Sequence, residues 1–326
     1  MSVTIIMYHY VRPIRESRYP EIKGLEKYLF AEQLHYVRKH YVVVAAKDVV
    51  RWAHGEGRLP GNAALLTFDD GYLDHFTHVF PLLYNLGLPG CFFPPARCIS
   101  ERVVLDVNKI HYVLAATPDK SNIITKMHAK IEKARDEFDL DSLDIYRTRY
   151  MTANSFDSAE VIYIKRMLQV GLPEILRARV IGELFRLYVT EDERAFANEL
   201  YMDEAQLRCM IEAGMSVGSH GFNHFWMNGL DRLAQERDVD LSLEFLGRIG
   251  ATTRDWVMCY PYGAWNAGLL DVLRARGCAL GLTTEEAIAD LEKADPLLLP
   301  RIDTNSLPKD RNAAPSHWTL RALGSK

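Results

Sequence analysis

Long apolar runs are missing from this chain of 326 residues, and so is any extended tract of one charge. No stretch approaches the roughly 20 consecutive apolar residues that a membrane-spanning helix needs. Lysine and arginine number 39 against 43 acidic residues, a net charge of -4. Without a basic tract the positive footprint that phosphate backbones require is lacking, which argues against nucleic acid as a partner. Cysteines are few and odd in number: Cys91, Cys98, Cys209, Cys259 and Cys278 are widely spaced, which excludes a disulfide framework. The opening Met1-Ser2-Val3-Thr4-Ile5-Ile6-Met7 has neither the basic n-region nor the apolar length of a signal peptide. The expectation is a cytoplasmic chain that starts on a strand.

What the sequence does contain is organised around Leu65-Leu66-Thr67-Phe68-Asp69-Asp70-Gly71, an apolar run that ends on two carboxylates and a glycine. A short apolar run closed by a turn signal reads as a buried strand, which puts both aspartates at its C-terminal end. Adjacent buried carboxylates repel each other unless a cation takes one of them and leaves its neighbour free as a base. By itself the pair could equally cap the following helix.

The same pattern recurs along the chain. Val3 to Met7 is apolar and ends at Tyr8-His9; Tyr41 to Ala46, Gly90 to Phe93, Met215 to Ser219, Trp256 to Tyr260 and Ala279 to Leu282 also read as strands. Helical spacing fills the intervals, for example Leu29, Phe30, Leu34 and Val37, or Leu207, Met210 and Ile211 behind an Asp203 N-cap. About seven strands alternating with helices predict an α/β fold with parallel strands, a distorted (β/α) barrel, with an open doubly wound sheet as the alternative. Residues 100–199 differ: glycine is scarce and apolar residues repeat at three and four (Val107, Ile110, Val113, Leu114; Ile123, Ile124, Met127, Ile131; Val161, Ile164, Met167, Leu168). The expected organisation is a barrel over 1–99 and 200–305, a helical insertion over 100–199, and a poorly ordered C-terminal tail over 306–326.

His9, Asp69, Asp70, His220, His224 and the turn Tyr260-Pro261-Tyr262 all fall just after apolar strands. In a parallel barrel those ends share one rim, so the residues converge. His220 and His224, four apart, fit one side of a helical turn, and with one aspartate they make a two-histidine, one-carboxylate cation site. A divalent ion there acidifies water and polarises a carbonyl, while the other aspartate takes the proton; the chemistry is hydrolysis of an amide or ester. His9 can serve as the acid, and a backbone N–H after Pro261, which has none itself, as an oxyanion donor. The remaining histidines, His75 and His128 among them, show no convergent partners and read as surface or packing residues.

Thr67-Phe68-Asp69-Asp70-Gly71, Ser219-His220 with His224, and Tyr260-Pro261-Tyr262-Gly263 together resemble the first three motifs of the polysaccharide deacetylases (NodB-type, carbohydrate esterase family 4). The resemblance runs from Met1 to about Asn305 apart from the insertion. It implies a distorted barrel and metal-dependent removal of N- or O-acyl groups from sugars. By position it makes Asp69 the base, Asp70, His220 and His224 the metal ligands, and the Tyr262 N–H an oxyanion donor. Zinc is the default ion for this set, and Co2+, Ni2+ and Fe2+ bind similar sites.

Two departures stand out. The family's arginine two residues before the motif-three proline is Cys259 here, and Arg301, after a late apolar run, is a candidate to orient the base instead. No late strand-then-histidine motif follows; Ile5-Ile6-Met7-Tyr8-His9 has that pattern at the other end, which resembles a surface-polysaccharide branch with permuted motif order, and His317 ranks below His9. The expected substrate is an acylated sugar, nucleotide- or lipid-linked, in surface polysaccharide or lipopolysaccharide biosynthesis. A sugar N-deformylase with the same machinery, an iron oxygenase, and a catalytically silent glycan-binding barrel are the competing readings.

Overall fold

Seven short strands form the frame: β1 (Ser2–Tyr8), β2 (Ala63–Asp69), β3 (Cys91–Phe93), β4 (Ser216–Val217), β5 (Trp256–Cys259), β6 (Cys278–Leu282) and β7 (Ile302–Asp303). The computed structural model describes residues 2–154 and 157–324. All neighbours in this frame run parallel. β1 pairs with β2 over Val3↔Ala63 to Tyr8↔Phe68, β2 with β3, β3 with β4, and β5 with β6. Single bridges complete the ring: Ser219↔Met258 joins the end of β4 to β5, and Leu282↔Leu299 joins β6 to the residues entering β7. β7 then returns to β1 through Ile6↔Ile302. The result is a closed but irregular barrel, in which Ile302–Asp303, not expected as a strand, takes the place in the ring that Tyr41 to Ala46 was expected to fill.

Alternation explains why it closes. On β1, β2, β3 and β5 every second residue (Val3, Ile5; Ala63, Leu65; Cys91, Phe93; Val257, Cys259) joins Leu280, Leu282 and Leu299 in one buried cluster. Val44, Ala46, Val49, Val50 and Leu59 belong to the same cluster, so the segment between the first two strands contributes to the interior. That segment departs from expectation. Only Val42–Val43 is strand, pairing with the start of β2, and Ala46–Ala53 is already helix. On the other side of β5, Trp256, Met258 and Tyr260 pack with Leu269, Leu270, Val272 and Leu273 of the helix Ala267–Ala275.

The chain divides into two compact units. One holds the described residues up to Pro13, Gly24–Arg102, and those from Asn198 on; the other holds Ile14–Lys23 and Val103–Ala197. The second unit is helical, including Asp106–Ala116, Lys120–Lys133, Leu143–Tyr150, Ala159–Arg166 and Glu174–Tyr188. Its core is made of the apolar faces named above, with Val161 only half-buried. Ile14–Lys23, far away in sequence, joins it: the Tyr19 ring meets Tyr112 edge to face at 4.9 Å.

The expectation of a poorly ordered tail is corrected. His317–Ala322 is a helix capped by Ser316, with Trp318 and Thr319 buried. Tyr36 and Tyr41 hydroxyls lie 2.8 and 3.0 Å from the Thr319 hydroxyl. Buried hydroxyls that satisfy one another hold this segment down despite its polar composition. His317 itself is exposed.

Candidate active site

The interior register of β2 carries on from Ala63 and Leu65 through Thr67 to Asp69, its last residue. Arg301 has the parity of Leu299, and Cys259 that of Val257, so three polar side chains are delivered to the same level of the barrel interior. The Arg301 guanidinium donates to both Asp69 oxygens, Nη1 to Oδ1 at 2.9 Å and Nη2 to Oδ2 at 2.8 Å, with each side chain only 1% exposed. Its Nε donates to the Thr283 carbonyl at 2.8 Å, which fixes the fork. Burial would raise the Asp69 carboxyl, but the guanidinium, with His220 and His9 adding to it, brings it down to about 2. Asp69 is therefore a carboxylate whose charge is matched within the protein.

Asp70 has the opposite surroundings. Its φ of 71° lies in the left-handed region, which turns its side chain away from the β2 register. Gly71 follows at φ 66°, where an added Cβ would stand 2.7 Å from Pro94 Cβ, so only glycine fits this turn. Asp70 Oδ1 lies 3.5 Å from His220 Nε2 and 3.3 Å from His224 Nε2. Its other oxygen, Oδ2, accepts a hydrogen bond from the Tyr72 hydroxyl at 2.6 Å.

The two histidines do not share a helical turn, as their spacing predicts. Residues 220–226 form a loop, with Gly221 at φ 71° and His224 at φ 59°. The Asp238 carboxylate shapes it, accepting from the Phe222 and Asn223 backbone N–H groups at 2.7 and 3.0 Å and from the Asn223 amide at 2.9 Å. His220 Nδ1 donates to the Cys259 carbonyl at 2.7 Å, which leaves Nε2 to face Asp70. Burial disfavours a charge on either ring; His220 is nevertheless held above its ordinary value by the Cys259 thiol and the two aspartates, while His224 is pushed below by burial.

One carboxylate oxygen and two imidazole Nε2 atoms, all within 4.8 Å of one another and buried, fit a divalent cation. The second histidine nitrogen bonded to a carbonyl is the outer contact that such ligands require. Asp69, His220 and Cys259 form another close trio. There Asp69 is already matched by Arg301 and burial pushes the Cys259 thiol up, so neither offers an uncommitted negative charge.

His9 and the Tyr260 turn complete the rim. His9 Nε2 lies 3.8 Å from Asp69 Oδ2, and its side chain is 42% exposed. Tyr262 adopts φ 58° inside the short turn Pro261–Gly263, and its ring lies between His224 at 4.8 Å and Trp226, stacked at 4.4 Å and 4°. Among the described residues, the non-glycine positions with positive φ are Asp70, Arg102, His224, Asp255 and Tyr262. Three of these were candidates from sequence, in keeping with backbone strain collecting where side chains must be aimed.

Sequence reasoning missed three residues. His75, taken as surface or packing, is fully buried and donates from Nε2 to the His9 carbonyl at 2.8 Å. It lies in the π-turn His75–Val79, a local irregularity in what reads as a plain helix. Tyr72 and Asp238 carried no signal beyond their positions near the motifs. His128, read as packing, hydrogen-bonds to the Tyr163 hydroxyl at 2.8 Å within the helical unit.

Comparison with known proteins agrees with the motifs. A family model described as polysaccharide deacetylase matches residues 182–281, a segment containing both histidines and the Tyr260 turn. The Asp69–Asp70 motif lies outside it, more than 100 residues earlier in the sequence. The curated protein YxkH of Bacillus subtilis (strain 168), named for the polysaccharide deacetylases, is 24% identical over 100 residues. That alignment covers 31% of this chain and 36% of YxkH, so the chain spans little more than a third of that relative's length. Among solved structures, the Streptococcus pyogenes deacetylase PplD aligns with TM-score 0.59 and 16% identity over 95% of this chain and 96% of PplD. IcaB from Ammonifex degensii aligns at 0.56 and 19% over 99% and 96%, and the BpsB deacetylase domain from Bordetella bronchiseptica at 0.55 and 17% over 93% and 95%. At these identities the structures speak for the fold. Over residues 182–281 the chain is similar to the polysaccharide deacetylases, and its fold is the NodB-like barrel.

Proposed function

We propose that this chain is a metal-dependent deacetylase that hydrolyses the N-acyl group of a sugar. The observation that carries this reading is the division between two adjacent carboxylates: Asp69 is forked by Arg301, and Asp70 faces two imidazoles. Environments that separate neighbouring acids assign them different tasks. The Arg301 fork on Asp69, from the residue just before β7, supports this reading over a silent glycan-binding barrel, whose motive was the arginine absent at Cys259.

A divalent cation held by Asp70, His220 and His224 would supply Lewis-acid polarisation of the acyl carbonyl and acidify water, and zinc suits the donors. Asp69 accepts a proton from the attacking water at Oδ2, with Arg301 aiming the carboxylate and keeping it ionised beforehand. As the C–N bond breaks, His9 delivers a proton to the departing nitrogen, giving a free amine and a carboxylate. The Tyr262 N–H donates to the carbonyl oxygen as negative charge grows there. Arg301 acts through Asp69 and is a positioning residue.

The proposed substrate is an acylated sugar of a surface polysaccharide, polymeric or still attached to a nucleotide or lipid carrier. The match to a family described as polysaccharide deacetylase supports it. The test is release of acetate and free amine from acetylated sugar oligomers by zinc-loaded protein, with Asp69→Asn and Asp70→Ala beside it. Turnover in the wild type that is lost in both variants is expected. Turnover unaffected by Asp69→Asn would refute the assignment of the base.

A further inference from the structure

We propose that the Tyr72 hydroxyl presets Asp70 as a single-oxygen ligand and so determines how tightly, and which, cations the site binds. The proposal rests on Asp70, His220 and His224 being the cation ligands. The two oxygens of Asp70 are already in different employment: Oδ1 faces both imidazole Nε2 atoms at 3.5 and 3.3 Å, and Oδ2 accepts from Tyr72 at 2.6 Å.

Tyr72 has no freedom to leave this position. Its ring is fully buried, stacks on Tyr10 at 4.0 Å and 17°, lies parallel to Tyr201 at 6.2 Å and meets His75 edge-on at 5.6 Å. Its backbone is bridged to Tyr201, and the Gly71 carbonyl accepts from Met202 N–H at 3.0 Å. The hydroxyl is therefore held in place before any cation arrives, as an outer contact must be to set a ligand's geometry.

A hydrogen bond to Oδ2 has two consequences. It fixes the rotation of the carboxylate, so that no ordering cost remains when Oδ1 takes a cation. It also occupies the oxygen that a larger, oxygen-seeking ion would recruit for two-oxygen binding, so the site favours small ions with nitrogen affinity over calcium. Tyr72 is thus a positioning residue for the cation site.

Tyr72→Phe removes the oxygen and keeps the stacked ring, and Tyr201→Phe is the packing control because it leaves the Tyr72 hydroxyl in place. Metal-stripped proteins are titrated with zinc against a chromophoric chelator, and the visible spectra of the cobalt-loaded forms are compared. The expected result is a zinc dissociation constant raised about 10–100-fold in Tyr72→Phe, a shifted cobalt spectrum, and wild-type behaviour in Tyr201→Phe. Melting of the stripped proteins in chelator checks that the Phe variant is folded. A zinc affinity within about twofold of wild type, with an unchanged cobalt spectrum, overturns the proposal. Asp70→Ala separates the two levels: if it abolishes zinc binding while Tyr72→Phe does not weaken it, only the role of Tyr72 falls. If Asp70→Ala binds zinc as the wild type does, the ligand assignment falls and the role of Tyr72 with it.

Discussion

Replacing Arg301 by methionine, which keeps side-chain length and removes the charge, is expected to disable the base and weaken the fold together. In the wild type the folded Asp69 carboxyl sits at about 2 against an ordinary 3.8, burial being outweighed by the guanidinium. That gap corresponds to roughly 2–3 kcal/mol at about 1.4 kcal/mol per pKa unit. Because the folded value is the lower one, this stabilisation is fully present above pH 3.8 and is lost as the pH falls through about 2. Without Arg301 the sign changes. Asp69 becomes a buried carboxylate with only imidazoles, His9 and His220, beside it, and removing one partner of a buried pair costs about 3–5 kcal/mol. Burial then raises its carboxyl, so lowering the pH relieves the variant by protonating the orphaned charge. The assay is urea unfolding at about pH 7.5 and about pH 5.5, together with kcat on an acetylated sugar. The expected result is a loss of about 3 kcal/mol at the higher pH, a smaller loss at the lower, and kcat reduced ~100-fold or more. A variant that loses less than about 1 kcal/mol and keeps kcat within about threefold would refute the claim that this pair holds the base.

Three further outcomes follow from contacts around the rim. His75→Phe removes the hydrogen bond to the His9 carbonyl at 2.8 Å and should cost about 1 kcal/mol of stability, with a kcat lowered ~10-fold and little change in KM. Steady-state kinetics separate this from a general packing defect, which would leave kcat per folded molecule intact. Asp238→Ala strands three N–H donors in the His220 to His224 loop and should cost about 3 kcal/mol or more, with zinc uptake reduced in parallel as read by elemental analysis. Gly263→Ala places a Cβ 2.2 Å from the Thr284 hydroxyl at a φ of 68°, and thermal melting should report a loss of about 2 kcal/mol.

The strands that end on chemistry were legible because each is a short apolar run with abrupt polar punctuation, and their number gave the barrel. Asp69, Asp70, His220 and Tyr262 could be named for the same reason, His224 from its spacing to His220, and Arg301 only as a stand-in for the family arginine absent at Cys259; the structure brings all of them together with His9. What stayed hidden depends on contacts between residues distant in sequence. The ring closes through single bridges at Ser219 and Leu299, which leave no periodic pattern. The histidine spacing suggested a helix because four residues is one helical turn, whereas here the Asp238 carboxylate, from a later helix, holds an irregular loop in shape. Ile14–Lys23 groups with a helical unit that begins about 80 residues later, and only tertiary packing could reveal that. Tyr72 and His75 look like ordinary core residues until their polar atoms are traced to Asp70 and His9.

The pairing of β3 with β4 has a consequence for how the chain reaches this structure. Cys91 meets Ser216 and Phe92 meets Val217, across a crossover of ~120 residues where a parallel connection commonly takes ~30. For a flexible chain, two doublings of the closing distance add only about 1.2 kcal/mol, so the long detour is thermodynamically mild. Its burden falls on time. Pairing β3 with β4 means closing that ~120-residue loop, and the histidine loop that follows β4 reaches Asp70 through this pairing. Long-range pairings of this kind slow folding more than they cost in stability, and here it is such a pairing that carries His220 and His224 to Asp70.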